Sequence, residues 1–127
     1  MIDDGRALFL QIAESIEDSI VDGSLAPEER APSTNELAAF HRINPATAAK
    51  GIAMLTDKGV LYKRRGIGMF VAPGARELLL GERRTAFAER YVDPLLAEAR
   101  TIGLGPDDLQ RLIRERAQTT PTEGTAR

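Results

Sequence analysis

Two helix starts stand close together in this 127-residue chain. Ser33-Thr34-Asn35-Glu36 has the S-x-x-E spacing of a capping box, in which each end residue satisfies a backbone N–H that the helix start leaves free. Asn44-Pro45 repeats the signal in another form. Asn is a good N-cap, and Pro fits the first helical position, where its missing N–H is not needed. Between the two caps there is room only for a short helix, ending near His41, and a tight turn, His41-Arg42-Ile43. That is the spacing of a helix-turn-helix.

The flanks extend the pattern. Residues 6–22 read as an amphipathic helix, with Leu8, Phe9, Ile12, Ala13, Ile16 and Ile20 at three- and four-residue steps and Gly23 placed to end it. Residues 24–32 form a proline-containing connection. Leu37, Ala38 and Phe40 give the second helix its apolar face. The third helix runs from Pro45 to about Lys58, burying Ala48, Ile52 and Leu55 with Met54 nearby, and Gly59 stops it. Its outer side is small and polar: Ala46, Thr47, Ala49, Lys50, Gly51. Two strand-like runs follow, 60–64 and 68–72, joined through Arg65-Gly66-Ile67 as a hairpin with a basic tip.

Charge is distributed to match. The formal net charge is −2, but residues 30–72 carry seven basic and two acidic side chains, a net of +5, whereas residues 1–29 carry one basic and eight acidic, a net of −7. A basic middle third is the footprint of a polyanion partner. Hydrophobic residues make up 43%, enough for a packed core. The absence of cysteine excludes disulfides and thiolate chemistry, and a single histidine, His41, excludes a multi-histidine metal site. No paired acid/base motif suggests an enzyme, and no cofactor is expected. The start lacks a signal-peptide pattern, and no apolar run approaches the ~18 residues of a membrane span. The expectation is a soluble cytoplasmic protein.

Pro73-Gly74 is the candidate boundary between domains. Beyond it, residues 75–102 read as helical, with Pro94 expected to kink or break the helix. Gly103-Leu104-Gly105 is a turn, and Pro106 opens a last helix with acidic residues first and arginines late, the polarity the helix dipole favours. Phe87, Tyr91, Leu95, Leu96 and Ile102, then Leu109, Leu112 and Ile113, form apolar stripes. Such stripes are most simply buried against a second copy of the chain. The three expected parts are a DNA-binding domain over 1–72, a helical dimerisation segment over 73–118, and a disordered tail over 119–127.

Helix, helix, tight turn, helix, hairpin is the order of a winged helix-turn-helix: mostly α with a small β-hairpin wing. In such a domain the third helix enters the major groove and the wing reaches the adjacent backbone or minor groove. A small outer face on the third helix would let its backbone approach the bases. Thr47 can meet a thymine methyl, and Lys50 can reach guanine or a phosphate.

Several elements in order resemble the GntR family of bacterial transcription regulators. These are Leu8-Phe9-x-Gln11-Ile12, Asp22-Gly23-x-Leu25-x-Pro27, Arg30-x-Pro32-Ser33-x-x-Glu36-Leu37-Ala38, Ile43-Asn44-Pro45-x-Thr47, Lys58-Gly59-Val60-Leu61 and Arg64-Arg65-Gly66-x-Gly68-x-Phe70-Val71. The short two-helix tail resembles the YtrA subfamily. The resemblance implies a homodimeric repressor on a near-palindromic operator, in many relatives the operator of a transporter operon. Glu28 stands where a glycine is usual, Ala31 where a leucine is, and Met69 where a threonine is. Asn35, Pro45 and Ala49 stand where arginines often contact DNA, which implies a different set of base contacts.

Lys50, Thr47 and Asn35 are therefore expected near base edges, with Thr34 and Ala46 beside them. Arg30, Ser33, Arg42, Arg64 and Arg65 are expected on phosphates or in the minor groove. Each has a plainer reading as well. Arg30 can pair with Glu28 or Glu29, Arg42 and the wing arginines can be solvated charges, Ser33 and Asn44 are caps first, and Gly66 and Gly68 can serve the turn alone. The rival function is a winged-helix module that binds protein rather than DNA. Any small-molecule effector is expected between two subunits, near the Phe87–Ile102 stripe, because the tail is too short for an enclosed pocket of its own.

Overall fold

The computed structural model describes residues 7–119. Six α-helices and one hairpin follow each other: α1 (Leu8–Val21), α2 (Thr34–His41), α3 (Pro45–Lys58), β1 (Leu61–Arg64), β2 (Gly68–Val71), α4 (Ala75–Phe87), α5 (Asp93–Thr101) and α6 (Pro106–Thr119), with a π-helical turn over Ala88–Val92. The architecture is the expected one, mostly helical with a two-stranded antiparallel wing. Of the tail expected to be disordered, Thr119 closes α6, and the remainder lies outside the described residues.

Both caps form as the sequence dictates. Ser33 Oγ accepts the Glu36 N–H at 3.1 Å, and Glu36 Oε1 accepts the Ser33 N–H at 2.7 Å. Asn44 Oδ1 accepts the Ala46 N–H at 2.8 Å. The turn between α2 and α3 closes through Arg42, which sits in the left-handed region at φ 57°. The core below is made by Ile12, Ile16 and Ile20 of α1, Leu37 and Ala38 of α2, Ala48, Ile52 and Leu55 of α3, and Val60, Leu61 and Val71 of the hairpin. Burying each of the larger side chains contributes about 1.5–3 kcal/mol.

Phe40 departs from expectation. It is 82% exposed instead of lining the core, and its ring meets His41 edge-on, 4.9 Å between centroids. α2 is only two turns long, and Leu37 and Ala38 already fill its buried face. Phe40 helps to line a groove of about 440 Å³ together with Ile16, Leu25 and Leu37.

The connection before α2 is more ordered than its composition suggests. Glu28 N–H donates to the Val71 carbonyl, Val71 N–H to the Glu29 carbonyl and Ala31 N–H to the Met69 carbonyl, at 2.8–2.9 Å. Residues 28–31 thus run along the free edge of β2, with Arg30 bridged to Phe70. The wing is anchored on both sides.

Two compact units divide the chain, Met1–Arg83 and Arg84–Arg127. The division falls within α4 rather than at Pro73-Gly74. The reason is burial: Ala75 and Leu79 are each 1% exposed and belong to the core of the first unit. In the second unit, Pro94 does not break the helix. The turn just before it widens instead, so that Asp93 N–H reaches back to the Ala88 carbonyl. This loosening accommodates a ring that would otherwise clash with the preceding turn.

Candidate nucleic-acid interface

α3 places Pro45, Ala46, Ala49 and Lys50 on its exposed side, with Thr47 half-buried. The small outer face has two causes, however. Gly51 is buried against α1, and a Cβ built there would lie 2.9 Å from the Phe9 carbonyl oxygen and 3.3 Å from Ile12 Cβ. Its smallness serves helix packing. The small residues left for a partner are Ala46 and Ala49. Lys50 is exposed, yet its ammonium lies 4.1 Å from the centre of the Phe9 ring, a weak cation–π contact at an exposed site.

At the start of α2, Thr34 and Ser33 are half-buried and Asn35 is exposed. Arg30 lies between this helix start and the wing. Its Nη1 is 3.9 Å from Glu36 Oε1, and its Nε passes 3.1 Å from where a Gly68 side chain would begin. Gly68, at φ 141°, therefore seats the Arg30 side chain as well as forming the strand end. Neither Glu28 nor Glu29, the partners considered from sequence, holds Arg30. Glu36 is drawn below the usual glutamate value by the Ser33 backbone N–H, then by the Ser33 hydroxyl, with Arg30 adding a smaller push.

The wing pairs Leu61 with Val71, Tyr62 with Phe70, Lys63 with Met69 and Arg64 with Gly68. Alternation puts Tyr62 and Arg64 on one face. Arg64 stacks 4.0 Å from the Phe70 ring centre and donates from Nε and Nη2 to Tyr62 Oη and from Nη2 to Glu28 Oε1 at 3.1 Å. Tyr62 Oη also donates to Glu28 Oε1. The hydrogen bonds from Arg64 to Tyr62 lead in raising its basicity, with Glu28 adding to them. Lys63 and Arg65 are exposed, with no ion pair among the described residues, and Gly66 turns the tip at φ 76°. Arg42 and Asn44 are exposed at the inter-helix turn.

Lys58, one of the seven basic residues of the middle third, is spent internally. Its ammonium bridges Glu17 at 2.7 Å and Glu82 at 2.8 Å, tying α3 to α1 and α4. Burial works to lower its pKa, but hydrogen bonds to the two carboxylates outweigh it and hold Lys58 above the usual lysine value. No group of three or more His, Asp or Glu residues able to hold a metal exists among the described residues.

The apolar stripes divide. Phe87, Tyr91, Leu95, Ile102, Leu112 and Ile113 are exposed, Leu96 is half-buried, and Leu109 is 6% exposed. Leu109 is thus enclosed within the chain itself. Phe87 and Tyr91 rings lie 5.5 Å apart.

The model of the bacterial regulatory proteins of the gntR family matches residues 8–71, half of the chain. The chain belongs to the GntR family. The GntR-family regulator YhcF of Bacillus subtilis is 26% identical over 119 residues, 94% of this chain and 93% of YhcF. The transcriptional repressor YtrA of the same organism is 26% identical over 108 residues, 85% of this chain and 82% of YtrA, in keeping with the subfamily resemblance. A GntR-family transcriptional regulator of Bacteroides thetaiotaomicron, known from its crystal structure, aligns with a TM-score of 0.71 at 33% identity, covering 89% of this chain and 98% of that one. This GntR-family chain is accordingly a DNA-binding transcriptional regulator with a winged helix and not an enzyme. No helix among the described residues is long and apolar enough to cross a membrane.

Proposed function

We propose that the protein represses transcription in the cytoplasm as a homodimer on a near-palindromic operator. The observation that carries the dimer is the set of large apolar side chains left exposed on the second unit, from Phe87 at 58% to Ile102 at 62%. A stripe of that kind is stabilised by burial against a second copy. Lys50 and Thr47 of α3 and Asn35 of α2 lie nearest the base edges, flanked by Thr34 and Ala46. Arg30, Ser33, Arg42, Arg64 and Arg65 meet phosphates or the minor groove, Asn44 caps the recognition helix, and Gly66 and Gly68 allow the wing its close approach. The target is an operon for a membrane transporter, a reading supported by the likeness to YtrA-type regulators. An effector, where one acts, binds between the subunits beside the Phe87–Ile102 stripe.

Selection of genomic fragments with the purified protein at near-physiological salt, with its mass measured in solution, tests this reading. The expected result is a dimer that recovers one dyad-symmetric site with half-sites about one helical turn apart or at a related spacing. Recovery of random fragments by a monomer would overturn it, and recovery of none would favour a protein partner for the winged domain.

A further inference from the structure

Glu28 is in the left-handed region, at φ 68°, a conformation that costs a residue with a side chain and costs glycine nothing. Its carboxylate is committed all the same. One oxygen, Oε1, accepts from both Tyr62 Oη and Arg64 Nη2. The Nε–Nη2 edge of Arg64, the edge that would grip a phosphate in two-pronged fashion, is filled by Tyr62 and Glu28, and the flat of the guanidinium rests on Phe70. What remains to face outward is the Nη1 side. Arg65 and Lys63, on the same hairpin, have no such restraint among the described residues.

A phosphate contact gains affinity mainly by releasing counterions, whatever the sequence. An arginine already paired with a carboxylate releases few. It is also held in one orientation, and orientation is what reading a base edge requires.

We propose that Glu28 sets the specificity of the wing: it withholds Arg64 from phosphates and fixes its Nη1 side toward the groove, lowering affinity for DNA in general more than for the operator. This rests on the wing contacting DNA as proposed above. Glu28 is a positioning residue acting through Arg64.

The test measures salt-dependent binding to a mixed-sequence duplex and to the selected operator, for wild type, E28G, E28Q, R64A and E28G/R64A. E28G relieves the backbone, and E28Q keeps the backbone geometry and the size of the side chain, so folding is checked from both sides by thermal melting. E28G and E28Q are expected to bind the mixed duplex several-fold more tightly, with a log–log salt slope steeper by about one per protomer. The ratio of operator to mixed-duplex affinity falls, and the gain disappears in the R64A background. Unchanged mixed-duplex affinity and slope in both Glu28 variants, while R64A weakens binding, overturns the role of Glu28 alone. So does a gain that persists without Arg64. R64A binding all DNA as wild type does overturns the wing contact itself.

Discussion

The carbonyl oxygen of Phe9 occupies the space into which any side chain on Gly51 would grow, 2.9 Å from where its Cβ would stand. α1 and α3 meet at this point, backbone against backbone. Helix propensity alone favours alanine over glycine by about 1 kcal/mol. Overpacking against a backbone atom, which cannot rotate aside, costs about 1–3 kcal/mol. Gly51→Ala is expected to lower stability by about 1–2 kcal/mol, read by chemical denaturation. A stabilised variant would mean that the two helices separate easily.

The capping box of α2 should respond to acid. The Glu36 pKa is below the ordinary value of 4.5 because its charged form accepts the Ser33 N–H. A lowered carboxylate stabilises the fold above that ordinary value and loses the contribution as pH falls through its own lowered value. Glu36→Gln should remove this part of the acid sensitivity, seen as a flatter melting-temperature profile below about pH 5.

Lys58 should respond to base. Its raised pKa stabilises the fold fully below the ordinary lysine value of 10.5, and the contribution is lost as pH rises through the raised value. Lys58→Met is expected to cost about 1 kcal/mol at neutral pH and to reduce the alkaline loss. Equal profiles for both proteins would show the two ion pairs to be without net effect.

The DNA contacts should separate by kind. Lys50→Ala is expected to relax discrimination at one base position by about 1–3 kcal/mol. Arg65→Ala should weaken binding to all sequences alike and lessen the salt slope by about one. Titrations on the selected operator and a scrambled duplex distinguish the two patterns, and identical patterns would place both residues on phosphates.

Where the winged domain ends can be tested by truncation. Leu79 is a fully buried member of its core, and losing a buried leucine side chain costs about 2–5 kcal/mol. A fragment ending at Arg83 should melt cooperatively and well above one ending at Pro73. Equal melting temperatures would put the boundary back at Pro73-Gly74.

Local rules carried much of this structure. Ser33 and Asn44 announced their helices because a cap depends on neighbours within three residues, and strand alternation sufficed for Tyr62 and Arg64. The failures are all tertiary. Phe40 looks like a core residue to any periodicity argument, but the core was already closed by Leu37. Gly51 suits a groove floor and a helix crossing equally well by residue type, and only the position of Phe9 separates them. Nothing local marks Lys58 as spent, since its partners lie on α1 and α4. The pairing of residues 28–31 with β2, and with it the hold of Glu28 on Arg64, depends on a chain direction that no spacing encodes.

The widened turn over Ala88–Val92 takes up one residue more between bonded groups than an ordinary helical turn does. Each residue of an α-helix advances the side chains by about 100°. A chain shortened by one residue at this turn could keep every apolar side chain and still aim Leu95 and Leu96 about 100° away from their present bearing relative to Phe87. In this tail, residue count acts as a compass setting, and a single-codon deletion would change which partners can mate without altering what any side chain offers them.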